Sequence, residues 1–289
     1  MSEGATTDFV HANGLRFSTR SWGQRPPRVV LAHGLASSSA IWTEVAPRLA
    51  PNGGALALDQ RGHGRTDKPD EGFDFATIVR DLHAVVEDAG SGQVVLVGHS
   101  WGGNVALQFA ATHPERVAGL VLVDGGFIEL AAIPGRTWDQ VEVDMAPPDL
   151  TSYTMDGLLE RVRNGDSGRL GYWGPAVEAT IRGCFREEAD GTVRPNLSRQ
   201  NHLKILRAMW EQRPRELFSR ITCPTTIVAA RRSDATGRAA AMRPHREAAV
   251  ERAAAAIPRA RLVWMEETVH DIPLHRPNEL AALILEHLA

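Results

Sequence analysis

The sequence predicts an α/β architecture: a mostly parallel sheet with helices on both faces, an antiparallel hairpin at its N-terminal edge, and a mainly helical insertion. Three observations carry that expectation. Short apolar runs alternate with amphipathic stretches along most of the chain, the pattern of a parallel sheet covered on both sides. One junction holds Gly98-His99-Ser100-Trp101-Gly102, a G-x-S-x-G pentapeptide between an apolar run and an Ala-rich helical pattern. The alternation stops between residues 127 and 218 and then resumes.

Each element has its own signal. Residues 8–12 and 15–22 flank Asn13-Gly14, a dipeptide suited to a two-residue hairpin turn. Val29-Val30-Leu31-Ala32 reads as a buried strand ending at His33-Gly34. A helix is expected from Ile41 to Leu49, and a strand over Ala55-Leu56-Ala57-Leu58, ending at Asp59. Phe75, Ile78, Val79, Leu82, Val85 and Val86 recur at helical spacing. Val94 to Val97 is a strand that runs into the pentapeptide, and residues 103–112 follow as a helix. Val117 to Val123 is a strand ending at Asp124-Gly125-Gly126.

The interruption carries Pro134, Pro147, Pro148, Pro175 and Pro195 among short helical patterns. Six of its aromatic residues, Trp138, Tyr153, Tyr172, Trp173, Phe185 and Trp210, either line an apolar pocket or form the insertion's own small core or its seam with the sheet. Arg161, Arg163 and Arg169 read as a solvated face. Thr225 to Ala229 is the next strand, followed by a loop to Met242 and a helix from Pro244, in its first turn, to Ile257. A strand from Arg261 to Met265, a loop holding His270, and a terminal helix from Pro277 to Leu288 complete the chain. The expected division is therefore a core of residues 1–126 and 219–289, with residues 127–218 inserted.

Composition narrows the function classes. The 289 residues are 43% hydrophobic, enough for a sizeable core. Lys and Arg total 32 against 35 Asp and Glu, so a net charge of −3 gives no drive toward nucleic acid or an anionic membrane. No apolar run reaches the roughly 18 residues of a membrane span. Residues Met1 to Asp8 are polar and acidic, so no secretory signal is expected and a cytoplasmic protein is. Cys184 and Cys223 lack metal-ligand spacing and are expected to be buried thiols.

The pentapeptide points to nucleophilic chemistry. A strand–turn–helix junction presents the serine hydroxyl on a tight turn, backed by unpaired N–H groups at the helix start. Gly98 and Gly102 omit side chains where backbone segments approach. A serine needs a base, and the base needs an orienting acid. His270, in a loop after the last strand signal, is the expected base. Asp234 follows the strand 225–229 and keeps the order serine, acid, histidine; Asp124, at the end of strand 117–123, satisfies the same logic. Backbone N–H groups of Leu35 and Trp101 are the expected oxyanion donors. His63 and His99 are assigned packing or hydrogen-bonding roles, with the His99 side chain turned away from the nucleophile. No cofactor or metal is expected.

In His33-Gly34-Leu35, Asp59-Gln60-Arg61-Gly62-His63-Gly64-Arg65-Thr66-Asp67, Gly98-His99-Ser100-Trp101-Gly102-Gly103, Asp234 and His270, the chain resembles the α/β-hydrolase fold superfamily over nearly its full length. The resemblance implies that residues 127–218 form a helical cap and that Asp59 to Asp67 shape and support the site. Ala230-Arg231-Arg232-Ser233 departs from the glycine and aspartate usual after the acid-bearing strand, and Val269 stands where a glycine commonly precedes the histidine. Ser100 sets the chain apart from the aspartate-nucleophile branches, the haloalkane dehalogenases and epoxide hydrolases. The expected function is a cofactor-independent serine hydrolase acting on a small or medium carboxylic ester, lactone or thioester through an acyl-enzyme. The alternatives are carbon–carbon hydrolysis, lyase, perhydrolase or acyl-transfer chemistry on the same triad, and a ligand receptor built on the scaffold. The expected partner is a small-molecule substrate, and the sequence carries no sign of oligomeric state.

Overall fold

Asn13-Gly14 forms the hairpin its composition signals: β1 (Thr6–Ala12) and β2 (Leu15–Trp22) pair antiparallel, with both turn residues at positive φ. Four strands follow: β3 (Val29–Ala32), β4 (Ala55–Leu58), β5 (Val94–His99) and β6 (Val117–Val123). A short hairpin, β7 (Phe185–Glu187) and β8 (Val193–Pro195), lies in the insertion. The last strands are β9 (Thr225–Arg231) and β10 (Ala260–Glu266). In this computed structural model, which describes residues 4–165, 173–234 and 236–289, the main sheet has the order β1-β2-β4-β3-β5-β6-β9-β10. All pairings from β4 to β10 are parallel.

Period-two alternation within the apolar strands divides the core between the two faces. Val30, Ala32, Leu56, Leu58, Leu96, Leu122 and Ile227 point to one face, where they meet α2 (Phe75–Asp88), α3 (Trp101–Thr112) and α8 (Gly237–Ala256). Val29, Leu31, Ala55, Val95, Val97, Val121 and Val228 point to the other, against α1 (Ala46–Leu49) and α10 (Pro277–Leu285). Each fully buried Leu or Val contributes about 1.5–3 kcal/mol of transfer free energy. Neither face of the central strands can be spared.

The insertion contains α4 (Trp138–Asp144), α5 (Met155–Arg163), α6 (Pro175–Cys184) and α7 (Arg199–Glu211). It is mainly helical, with the β7–β8 hairpin as an addition that the sequence reading missed. Its turn signal, Asp190-Gly191 with Gly191 at φ +80°, is present in the chain. Tyr153, Trp173 and Phe185 pack with Met155, Leu158, Leu159 and Val193, and Trp138 meets Trp210 at 6.4 Å between ring centres. Arg163 lies over the Trp173 ring at 4.8 Å and Arg161 over Tyr153 at 5.5 Å, so these arginines cover aromatic faces. Tyr172 and Arg169 fall outside the described residues.

Two helices differ from expectation. The stretch 41–49 splits into a 3-10 turn at Ser39–Trp42 and the short α1. Pro47 explains the break, because it has no N–H and its ring opposes the carbonyl four residues back. Helix α8 starts at Gly237, so Pro244 lies inside it and not in its first turn. The Ala-rich start of α8 gives no apolar periodicity to read. Cys223 is buried and Cys184 half-buried, and both are free thiols. No helix among the described residues is long and apolar enough to cross a membrane.

Candidate active site

Strands β4 and β5 leave β3 on opposite sides, so the strand order reverses there. Such a switch point opens a crevice at the strand carboxyl ends. The β5–β6 register sets His99 opposite Val123, which brings Ser100 and Asp124 out at adjacent strand ends. The Ser100 N–H donates to Val123 O at 2.9 Å, and the Asp124 N–H donates to Val228 O at 2.7 Å.

Ser100 is the residue before α3 and adopts φ +54°, ψ −122°. A non-glycine residue there is strained, and the strain is held by close backbone packing. A Cβ on Gly98 would fall 2.2 Å from Gly102 O, and one on Gly102 would fall 2.4 Å from His33 O. A Cβ on Gly125 would stand 2.0 Å from Ser100 O. These glycines are therefore required by contact, and together they leave Ser100 partly exposed at the strand–helix turn.

His270 reaches the site on the loop between β10 and α9 (Ile272–His275). It does not meet Asp234. Its Nδ1 pairs with Asp124 Oδ2 at 2.6 Å. Asp234 is 61% exposed and forms two bonds to Arg232, at 2.6 and 2.7 Å. The expectation that Asp234 orients the histidine is thus corrected by its placement, and the second candidate, Asp124, takes the position. The physical reason lies in the departure at 230–233: the Arg232 guanidinium draws Asp234 outward. The inner position is filled, because the Ala230 N–H donates to Asp124 Oδ1 at 2.9 Å. Burial would raise the Asp124 carboxyl, but the His270 bond, the Arg246 and His270 charges and the Ala230 N–H hold it down at about 2. Asp124 is 4% exposed and is a carboxylate at neutral pH.

Three buried histidines support this centre. The His33 ring accepts the Gln60 N–H at Nε2, 3.0 Å away, while its Nδ1 faces Gly34 O at 2.7 Å. The His63 Nε2 accepts the Ala36 N–H at 3.2 Å, and the ring stacks on Trp101 at 5.4 Å. Burial pushes both rings below the ordinary histidine value, with the His33 charge adding to the effect at His63. Neutral rings are what these acceptor roles need. By taking the Ala36 N–H, His63 fixes the turn after Gly34. The N–H groups of Leu35 and Trp101 donate to no protein acceptor among the described residues.

His99 is the third. It donates from Nε2 to His270 O at 3.0 Å, tying the histidine loop to the end of β5. Burial first, and then His270, bring its pKa to about 4, so it is a neutral tether.

Ser100, His270, Leu35 and Trp101 line one cavity of about 470 Å³. Ile128, Met145 and Met209 give it apolar walls, and Asp144, His202 and Asp271 give it polar ones. Of the aromatics singled out in the insertion, the five that are described, Trp138, Tyr153, Trp173, Phe185 and Trp210, do not line it. A narrower, mostly apolar cavity of about 120 Å³ shares Ala36, Ser37 and His202 with it and is walled by Pro147, Pro148, Leu150, Phe185 and Leu197.

Residues 27–156 match the family model of the α/β hydrolase fold. Epoxide hydrolase B of Mycobacterium tuberculosis is 35% identical over 162 residues, covering 51% of this chain and 46% of that protein. The matches to such curated relatives span less than half of those proteins' own length. Among solved structures, E-2-(acetamidomethylene)succinate hydrolase is similar with a TM-score of 0.79 and 21% identity, covering 98% of this chain and 99% of that one. The thioesterase domain from the curacin biosynthetic pathway follows with a TM-score of 0.75 and 20% identity, covering 98% and 100%. At such identities the likeness is one of fold. With this sheet order, these neighbours and the matched segment, the chain has the α/β-hydrolase fold.

Proposed function

We propose that the chain is a cofactor-independent serine hydrolase that cleaves a small or medium carboxylic ester, lactone or thioester through an acyl-enzyme. The observation that carries this reading is the strained Ser100, which lines one cavity with a histidine bound at Nδ1 to a buried carboxylate. In this reading Ser100 Oγ attacks the substrate carbonyl carbon while His270 Nε2 takes the hydroxyl proton. Asp124 accepts the Nδ1–H, which fixes the tautomer and stabilises the imidazolium that forms. Leu35 and Trp101 N–H groups donate to the oxyanion, each such donor being worth about 10²–10³ in rate. The tetrahedral intermediate collapses when the bond to the leaving group breaks and His270 returns its proton to that group. Water then attacks the acyl-enzyme by the same route in reverse, releasing the acid and restoring Ser100.

Residues 127–218 serve as the cap over this centre. Met145, Met209 and the adjoining apolar arm favour an uncharged acyl group of modest size, because Met side chains adapt their shape to an apolar ligand. Ser100 and its elbow favour acyl transfer over the epoxide chemistry named in one relative. The test is turnover of a panel of p-nitrophenyl esters and thioesters, varied in acyl length, by wild type and Ser100→Ala. Saturable hydrolysis by wild type alone supports the proposal. Equal turnover by Ser100→Ala refutes it.

A further inference from the structure

Arg246, on α8, reaches the catalytic dyad from behind. It donates from Nη1 to Ala230 O at 2.7 Å and from Nη2 to Asp124 Oδ1. The Ala230 N–H also donates to Asp124 Oδ1, so arginine, β9 backbone and carboxylate close a ring of hydrogen bonds. Oδ1 is thereby occupied by two donors, and Oδ2 is left to His270.

From this geometry we infer that Arg246 is a positioning residue for the dyad, acting through Asp124 to set both its orientation and the acid limit of His270 basicity. The inference rests on the serine-hydrolase reading above. A lone carboxylate beside an imidazole favours its protonation and so withdraws the base as pH falls. Here the carboxylate is already paired with a guanidinium, which stays charged at any relevant pH. An imidazolium at His270 would meet a neutral pair in place of a bare anion.

Among the described residues, the other charges around the dyad do not replace Arg246. His99, from the end of β5, is neutral. Asp271, next to His270, lies 3.9 Å from His99. Asp144 and His202 line the catalytic cavity from the insertion. His245 and Glu129 line the apolar groove along α8, next to Arg246. Arg246 is the residue among these that bonds the carboxylate itself, and at 32% exposure its charge is only partly screened.

The pH dependence of Ser100 phosphonylation by a fluorophosphonate probe reads the base directly and needs no natural substrate. In Arg246→Met the acid limb of the second-order rate constant should move up by roughly one pH unit, a tenfold loss on its acidic side. Arg246→Gln, which keeps a donor for Ala230 O, should move likewise, while Arg246→Lys should hold the limb near its wild-type place. The His270 Cε1–H resonance, followed by NMR, should show the same displacement. A limb and a resonance unmoved in both neutral variants overturn the inference, even where stability or the plateau rate falls, because a purely structural arginine would act only there. If wild-type Ser100 takes no probe at all, the hydrolase reading fails, and the NMR titration still decides the effect of Arg246 on His270.

Discussion

Replacing Asp124 by Asn removes one charge and keeps the shape, and its consequences follow from the bonds around the carboxylate. The His270 Nδ1 contact of 2.6 Å needs an acceptor at Oδ2. An Asn that turns its amide N–H₂ toward the ring forces the proton onto Nε2, where His270 can no longer accept from Ser100. An Asn that offers its oxygen keeps the tautomer but loses the charge that stabilises the imidazolium. Both arrangements cost about 10³–10⁴ in kcat, or roughly 4–5.5 kcal/mol at 1.36 kcal/mol per decade. Arg246 is left without its ionic partner as well, which costs about 1–3 kcal/mol of stability. Asp234→Asn is the control. Its carboxylate is exposed and, among the described residues, bound only to Arg232, so its kcat should change less than about twofold. The assay is kcat and KM on the p-nitrophenyl ester that wild type cleaves best, with thermal unfolding measured alongside. An Asp124→Asn rate within tenfold of wild type, or an Asp234→Asn rate that falls with it, refutes the assignment of Asp124.

Three further outcomes are expected. The Asp124 carboxyl lies at about 2 in the folded chain against an ordinary 3.8, so its contribution is fully present above the unfolded value and is lost as pH falls through the folded one. That contribution is on the order of 2 kcal/mol; the acid side of a plot of unfolding free energy against pH should flatten in Asp124→Asn, and an unchanged profile counts against it. Gly102→Ala places a Cβ 2.4 Å from His33 O and 2.5 Å from Ala32 O, both backbone atoms, so the end of β3 must move. A loss of roughly 2–4 kcal/mol by denaturant titration is expected, together with loss of phosphonylation at Ser100; wild-type stability would show that the elbow has slack. Met209→Trp narrows the cavity, so KM should rise more for long acyl chains than for acetate, and a uniform change across the series would place the acyl group elsewhere.

The core was legible because its signals are local. Alternating apolar strands, the Asn13-Gly14 turn and the pentapeptide each declare themselves within a few residues. Ser100, His270 and the His33-Gly34-Leu35 loop belong to that class. The acid does not. Choosing between Asp124 and Asp234 requires knowing that β6 and β9 are neighbours, that the Ala230 N–H points at Asp124, and that Arg232 draws Asp234 outward. A partial signal existed in Gly103 and Gly125, which allow the β6 loop to press on the elbow. Arg246 is 122 positions from Asp124 and sits in a helix without apolar periodicity, so nothing nearby in the chain marks it. The cavity walls were opaque for a similar reason: aromatic residues of the insertion pack on one another, and Met145 after α4 joins His202 and Met209 of α7 to line the space instead.

The most direct measurement is mass-spectrometric mapping of wild-type protein and Ser100→Ala after exposure to a fluorophosphonate. A single adduct on the peptide containing Ser100, absent from Ser100→Ala and formed far more slowly in Asp124→Asn, is the expected result. An unmodified Ser100 in folded wild-type protein, or an adduct that persists in Ser100→Ala, contradicts the nucleophile assigned to the elbow.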